Sequence, residues 1–175
     1  MAAKSRTETD GSRTTTLIET PKGELRSVRQ RTDVTSAQVE FPCKTADDIE
    51  KLLSLPYEPL SEIDATKFNG WKDRIGDGGI VLFGFGDAIC VPANYFSPED
   101  FSLLWADAPD AFVALIKVAN ERLCEQADLC CKAGIDAFRL LGGEYASTQL
   151  GPDAYLATVT EPDRRICDIM HSHGA

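Results

Sequence analysis

The stretch Ala133–Ser147, "AGIDAFRLLGGEYAS", decides how this chain is read. An apolar run from Ile135 to Leu141 ends in two glycines, an acid and an aromatic. A short apolar run bounded by turn residues is the pattern of a strand buried on both faces, as in a parallel sheet. Gly134, just before the run, occupies the place of a helix C-cap. Gly142-Gly143 then frees the backbone to bend and to carry Glu144 and Tyr145 past the strand end. The bland alternative is a plain turn.

The same grammar occurs earlier. In "GDGGIVLFGFGDAIC", Gly76–Cys90, the apolar run Ile80–Phe83 precedes Gly84, Gly86 and Asp87. Between the two runs lies the longest predicted helix, after Pro109. Its Phe112, Leu115, Ile116, Ala119, Leu123, Ala127 and Cys130 recur at spacings of three and four, one stripe facing a sheet. A shorter helix starts at "SPED", with Ser97 as N-cap, Pro98 in the first turn and Glu99 and Asp100 at the positive helix end. Upstream, Thr45 and Asp48 have capping-box spacing before Ile49, Leu52 and Leu53. A further helix is expected from Ser61 to Ile75, and one or two more after Gly151. "TTTLIETPKGELRSVRQR" reads as a β-hairpin about Pro21-Lys22-Gly23, and "SAQVEFPC" as a third extended piece. Residues 1–12 are polar and lack periodicity, so a disordered tail is expected there and a single domain over 13–175. Alternating strands and helices predict α/β architecture with parallel strands and right-handed crossovers.

Composition narrows the partners. The chain has 175 residues, 43% of them hydrophobic. No apolar run nears the roughly 20 residues that cross a bilayer, and the start lacks the apolar core of a secretory signal. The expectation is a cytoplasmic protein with no membrane partner. The net charge is −10. Residues 1–44 hold eight Lys/Arg and six Asp/Glu, and the remainder ten and twenty-two. An acidic body repels phosphate backbones, so no nucleic-acid partner is expected. The six cysteines form no CxxC pair and read as small buried hydrophobes in a reducing compartment. His171 and His173 do not share a helix face, and at a helix C-terminus they complement the dipole. "GFG" and "GDGG" match neither the GxGxxG nor the Walker pattern. No metal site and no cofactor is expected.

Parallel strands gather ligands beyond their C-terminal ends. Asp87 and Glu144, on the two exit loops, are therefore the catalytic candidates, as acid–base or substrate-orienting carboxylates for a small-molecule substrate. The alternative is that each accepts hydrogen bonds from local backbone amides. Arg139, Tyr145 and Asn94 are the substrate-binding candidates. Arg139 is the odd residue in an apolar strand and suits a substrate carboxylate, or else a salt bridge at the strand–helix seam. Tyr145 suits stacking or hydroxyl donation, or a half-buried structural place. Asn94 stands near the first exit loop. Cys90 has no base or cation nearby in sequence to activate it.

Five segments in order carry a resemblance: "TLIETPKGELRSVRQRT", "VEFPCKTADDIEKLLSLPYEP", "YFSPEDFSLLWADAPDAF", "AGIDAFRLLGGEYAS" and "LGPDAYLATVTEPDRRICDIMHSHGA". From Arg13 to Ala175 the chain resembles the uroporphyrinogen decarboxylase-like family, which also includes corrinoid-linked methyltransferases. The resemblance implies a (β/α)8 barrel with its chemistry at the C-terminal mouth. For the decarboxylases it implies cofactor-independent removal of tetrapyrrole carboxylates, handled by an aspartate and basic residues. For the methyltransferases it implies zinc held by His and Cys, with a corrinoid protein as methyl partner. This chain departs from both. Nothing before Arg13 resembles the arginine-containing segment of the decarboxylases. "GDAICVPANYFS" stands where "PWTL…Y…EG" is expected, and the methyltransferase zinc ligands would fall beyond Ala175. Neither catalytic set maps onto these residues, so Asp87 and Glu144 rest on position alone. A full barrel takes about 200–250 residues or more. The expectation is thus a partial (β/α)8 TIM-type barrel with an N-terminal β-hairpin, catalytically incomplete alone. Its open sheet edges would call for a homo-oligomer or a complementary barrel segment. A non-catalytic interaction module is the alternative.

Overall fold

β-Branched residues crowd the start of the chain. The computed structural model, which describes residues 4–175 apart from the side chains of Thr148 and Gln149, folds them into a four-stranded antiparallel sheet. Its strands are β1 (Lys4–Asp10), β2 (Arg13–Thr20), β3 (Gly23–Arg31) and β4 (Ser36–Glu40), in that spatial order. The expected hairpin is the β2–β3 pair, closed at Thr20 and Gly23. The expected disordered tail is corrected from Lys4 onward, because those residues form β1; residues 1–3 lie outside the described part. β1 is exposed along its whole length, so burial does not hold it. The ladder does, with Thr7 and Thr9 hydroxyls 3.3 Å from those of Thr16 and Thr14. Gly11, at φ +57°, makes the tight link from Asp10 to Arg13.

The chain divides into two compact units, Met1–Glu58 with Pro92–Leu115, and Pro59–Val91 with Ile116–Ala175. In the first, α1 (Ala46–Leu53) packs on β3 and buries Ile49 and Leu52, while β3 buries Leu25 and Val28. The Asp48 carboxylate accepts from the Lys44 and Thr45 backbone amides at 3.0 and 3.2 Å, which satisfies donors the helix cannot. After the short α3 (Cys90–Tyr95) comes α4 (Pro98–Asp107), capped by Ser97 Oγ accepting from the Asp100 amide at 3.1 Å. Phe101 and Phe112 meet edge to face at 5.2 Å.

The second unit contains α2 (Thr66–Ile75), β5 (Phe83–Gly86), most of α5 (Pro109–Lys132), β6 (Phe138–Leu141), α6 (Glu144–Gln149), α7 (Pro152–Tyr155) and α8 (Glu161–Ser172). A π turn, Leu156–Thr160, joins the last two helices. β5 and β6 pair in parallel, Phe83 opposite Phe138 and Gly86 opposite Leu141. Ala127, Cys130, Ile166 and Met170 are buried with Phe85, and Phe83, Phe138 and Leu140 pack against them. Helices α5 and α8 thus cover one sheet face. Gly84, Arg139 and Leu141 alternate onto the other face and are exposed.

Three expectations are corrected here. The parallel sheet has two strands, not a barrel or the run of parallel strands that a partial barrel implies. Repeated crossovers build a barrel, whereas the first four strands pair with their sequence neighbours and leave one βαβ unit. The strand expected at Ile80–Phe83 begins only at Phe83, since the ladder opens with the Phe83 amide on the Ala137 carbonyl at 2.9 Å. Ile80 is 79% exposed, the opposite of a strand buried on both faces. The helix expected from Ser61 starts at Thr66, whose amide the Asp64 carboxylate accepts at 2.9 Å.

The end of α5 follows the expected cap. Gly134 sits at φ +92°, with its amide on the Cys131 carbonyl at 2.9 Å and the Ile135 amide on the Cys130 carbonyl at 3.1 Å. This paired closure is a Schellman motif, and it aims the chain into β6. Among the described residues no helix is long and apolar enough to cross a membrane. A Cβ on Gly134 would meet no atom within 4 Å, so its substitution probes backbone strain alone. Gly134→Ala should lower unfolding stability by about 1 kcal/mol, and Gly134→Asn by less, in urea titrations.

Candidate functional site

The parallel ladder runs one bond past its strands, from the Asp87 amide to the Leu141 carbonyl at 3.0 Å. That bond holds the two exit loops together. Asp87 follows β5 and is 2% exposed. Gly142 follows β6 at φ +143°, a conformation that disfavours side chains. A Cβ there would lie 1.9 Å from Asp87 Oδ1, so only glycine lets the carboxyl pack beneath the bend. Gly143 is pressed from the other side, with Tyr155 Oη and Val159 Cγ1 each 3.2 Å from where its Cβ would be. Above the bend opens a cleft of about 450 Å3, walled by Asp87, Glu144, Tyr155, Asp163 and the Leu140–Gly143 segment.

Electrostatics set the cleft apart. Burial pushes the Asp87 carboxyl up to about 6, against hydrogen bonding with Cys90 and aided by the charge of Glu144. Burial and then the charge of Asp87 push Asp163 up to about 7. Each carboxyl has a buried Oδ1 with no hydrogen-bond partner. The charge of Asp87 makes Asp163 harder to ionise, so the pair gives up its last proton only near neutral pH. Cys90 donates from Sγ to the Leu141 carbonyl at 3.2 Å. Burial, with Asp87 beside it, pushes its thiol up to about 12, which disfavours the thiolate at neutral pH.

No protein-family model, curated protein or solved structure matches the chain.

The structure brings Asp87 and Glu144 to one cleft, because β5 and β6 run the same way. Glu144 also has the local role expected of a turn acid: its Oε2 accepts from the Gly142 amide at 3.2 Å. The three substrate-binding candidates are not brought there. Arg139 is exposed on β6, because Phe138 and Leu140 take the covered face of an alternating strand. Tyr145 is 40% exposed and does not wall the cleft. Asn94 lies exposed on α3 in the other unit. Among the described residues no three His, Cys, Asp or Glu side chains are grouped to hold a metal ion. His173 instead lies 2.9 Å from Asp128 and ties the end of α8 to α5.

Asp163 and Tyr155 are the residues that sequence reasoning missed. Tyr155, Val159 and Asp163 are spaced four apart, a signal that they share one helical stripe. The intervening π turn obscures that phase, and an acid just after Pro162 reads most simply as a helix-dipole partner.

Gly142→Ala should destabilise the protein by about 2 kcal/mol or more, through overpacking and backbone strain. Gly84→Ala, with nothing within 4 Å of its added methyl, should cost well under half of that in the same denaturation series. The raised carboxyls also set a pH dependence. Their folded values lie above the ordinary 3.8, so the native state holds protons that the unfolded chain has released. Stability is then full below about pH 4 as far as these groups contribute, and falls as pH rises toward about 7.5. Asp87→Asn should flatten that fall by about 2 kcal/mol in urea titrations across the window.

Proposed function

We propose that the chain is a uroporphyrinogen decarboxylase-like protein whose cleft performs cofactor-independent decarboxylation of a small carboxylic acid, with Asp87 as the acid. The supporting observation is a buried, protonatable carboxyl at the C-terminal end of a parallel strand pair, beside a second carboxyl that keeps a proton in reach. Loss of CO2 breaks a C–C bond and leaves its electron pair on carbon. The Asp87 O–H donates its proton to that carbon, and the resulting carboxylate regains a proton from solvent. A donor with a value near working pH suits this step, because it is both protonated and willing to give.

Two features shape the substrate reading. The cleft suits a small ligand. Its described lining holds no Lys or Arg, so the several carboxylates of a tetrapyrrole would need cations from outside it. Zinc- and corrinoid-linked methyl transfer draws no support from the grouping of ligand-type side chains.

A second reading, completion by another chain, is favoured by the uncovered sheet face. Leu141 is 40% and Leu82 55% exposed beside Gly84, although parallel sheets are ordinarily covered on both faces. In this reading a second copy supplies the cover, and the catalytic set is completed with it.

Decarboxylation is tested in D2O with a panel of amino, β-oxo and heteroarylacetic acids. The expected result is CO2 release with deuterium on the carbon that lost it, reduced about a hundredfold in Asp87→Asn. An active protein whose Asp87→Asn variant keeps full rate would remove Asp87 from the chemistry. Completion by a second copy is read by light scattering: an oligomer is expected, returned to monomer by Leu82→Lys with Leu141→Lys. A monomer at high concentration ends the second-copy reading.

A further inference from the structure

β1 ends the antiparallel sheet, and among the described residues no strand pairs with its outer edge. The opposite edge, β4, is five residues long, and its pairing with β3 shifts register. β1 pairs with β2 over seven unbroken positions, without proline or bulge, and is exposed throughout. A long regular edge of this kind is a template for another strand. Which backbone groups it offers follows from the sheet. The Arg31 amide donates to the Ser12 carbonyl at 2.8 Å, which extends the β2–β3 register by one pair. Alternation then directs the backbone groups of Thr14, Thr16 and Ile18 to β3 and those of Arg13, Thr15, Leu17 and Glu19 to β1. Their opposites Asp10, Glu8, Arg6 and Lys4 spend their own groups on β2. Ser5, Thr7 and Thr9 therefore turn their amides and carbonyls outward.

The side chains say what suits that edge. Lys4, Arg6, Glu8 and Asp10 project from one face, in the order two cations and then two anions. Set antiparallel to a second β1 about a twofold axis at Thr7, Lys4 faces Asp10 and Arg6 faces Glu8 on both sides of the axis. Ser5 then faces Thr9 and Thr7 faces its own counterpart, so outward amides meet outward carbonyls. A slide of two residues either way sets Arg6 against Arg6 or Glu8 against Glu8, and like charges directly opposite are unfavourable. We propose that two copies of the chain associate through antiparallel pairing of β1, centred on Thr7. The interface is isologous, and it is a different surface from the uncovered β5–β6 face. Arg6 Nε already lies 3.3 Å from Glu8 Oε1 of its own strand, but with both side chains 70% exposed that pair alone contributes little. A second copy gives each of them a further partner across the axis. The pairing covers little apolar surface, so the dimer is weak and sensitive to salt.

Sedimentation velocity over a concentration series tests this, on the full chain carrying Leu82→Lys and Leu141→Lys so that the β5–β6 face is out of play. At about 50 mM salt a monomer–dimer equilibrium is expected, weakened at least about tenfold at about 500 mM, where that protein is the monomer expected above. Arg6→Glu and Glu8→Arg, both at exposed sites that leave the fold intact, should each weaken the dimer at least about tenfold. Mixed in equal amounts they should recover it, because the mixed pair again opposes unlike charges throughout. Thr7→Pro removes an outward amide that β2 does not use, and should dissociate the dimer as well. A protein that stays monomeric at low salt would overturn the proposal. So would a dimer indifferent to either reversal or to Thr7→Pro, or reversals that dissociate it without recovery on mixing.

Discussion

The close approach of Gly142 to the Asp87 carboxyl is the constraint on which the site depends. The two atoms meet because the β5–β6 ladder continues past its strands, through the Asp87 amide and the Leu141 carbonyl. Any side chain at Gly142 would collide with Oδ1 and force the loops apart. The second glycine admits Tyr155 and Val159 to the other side of the bend. The Gly-Gly pair is therefore a contact surface between strand exit and helix, and its freedom of φ is only part of its use. The Schellman closure at Gly134 matters for the same reason, since it fixes where β6 begins and so where it ends.

Burial of Asp87 in that position has a cost, and its protonation limits that cost. A carboxylate with an unpaired oxygen in a dry site would be expensive, while a neutral carboxyl is much less so. Raised values at Asp87 and Asp163 record this balance. The arrangement weakens the fold as pH rises, and keeps a proton donor at the mouth of a cleft. Residues that oppose stability in this way are frequent at sites that work.

Much of this was legible in local chemistry. Ser97, the Thr45–Asp48 spacing and Gly134 announce helix ends through hydrogen bonds that form within a few residues. The α5 stripe was legible as well, with Phe112, Leu115, Ile116, Ala127 and Cys130 all buried. Asp87 and Glu144 meet as their shared strand polarity implies. What stayed hidden was non-local. β1 has no apolar face, and its order comes from a ladder and threonine pairs supplied by β2. The barrel expectation rested on resemblance, while the pairing of the first four strands with one another is a choice of partner that no single segment encodes. Arg139 looked chemical because it interrupts an apolar run, yet alternation alone places it on the uncovered face.

Asp163 shows why the second carboxyl escaped. Its raised value comes first from burial and then from the charge of Asp87, a residue 76 positions away that becomes its neighbour only when α8 packs on the parallel pair. The two acids differ in burial and are coupled by charge, so ionisation of one makes ionisation of the other harder. An isolated acid of ordinary strength would be fully ionised at neutral pH and would have no proton to give. A pair raised to about 6 and about 7 by burial gives up its last proton only near neutral pH. That property follows from parallel pairing, from a glycine that permits contact and from a helix that brings the second acid. Without the pairing and the glycine contact, Asp87 would lose the burial that raises it.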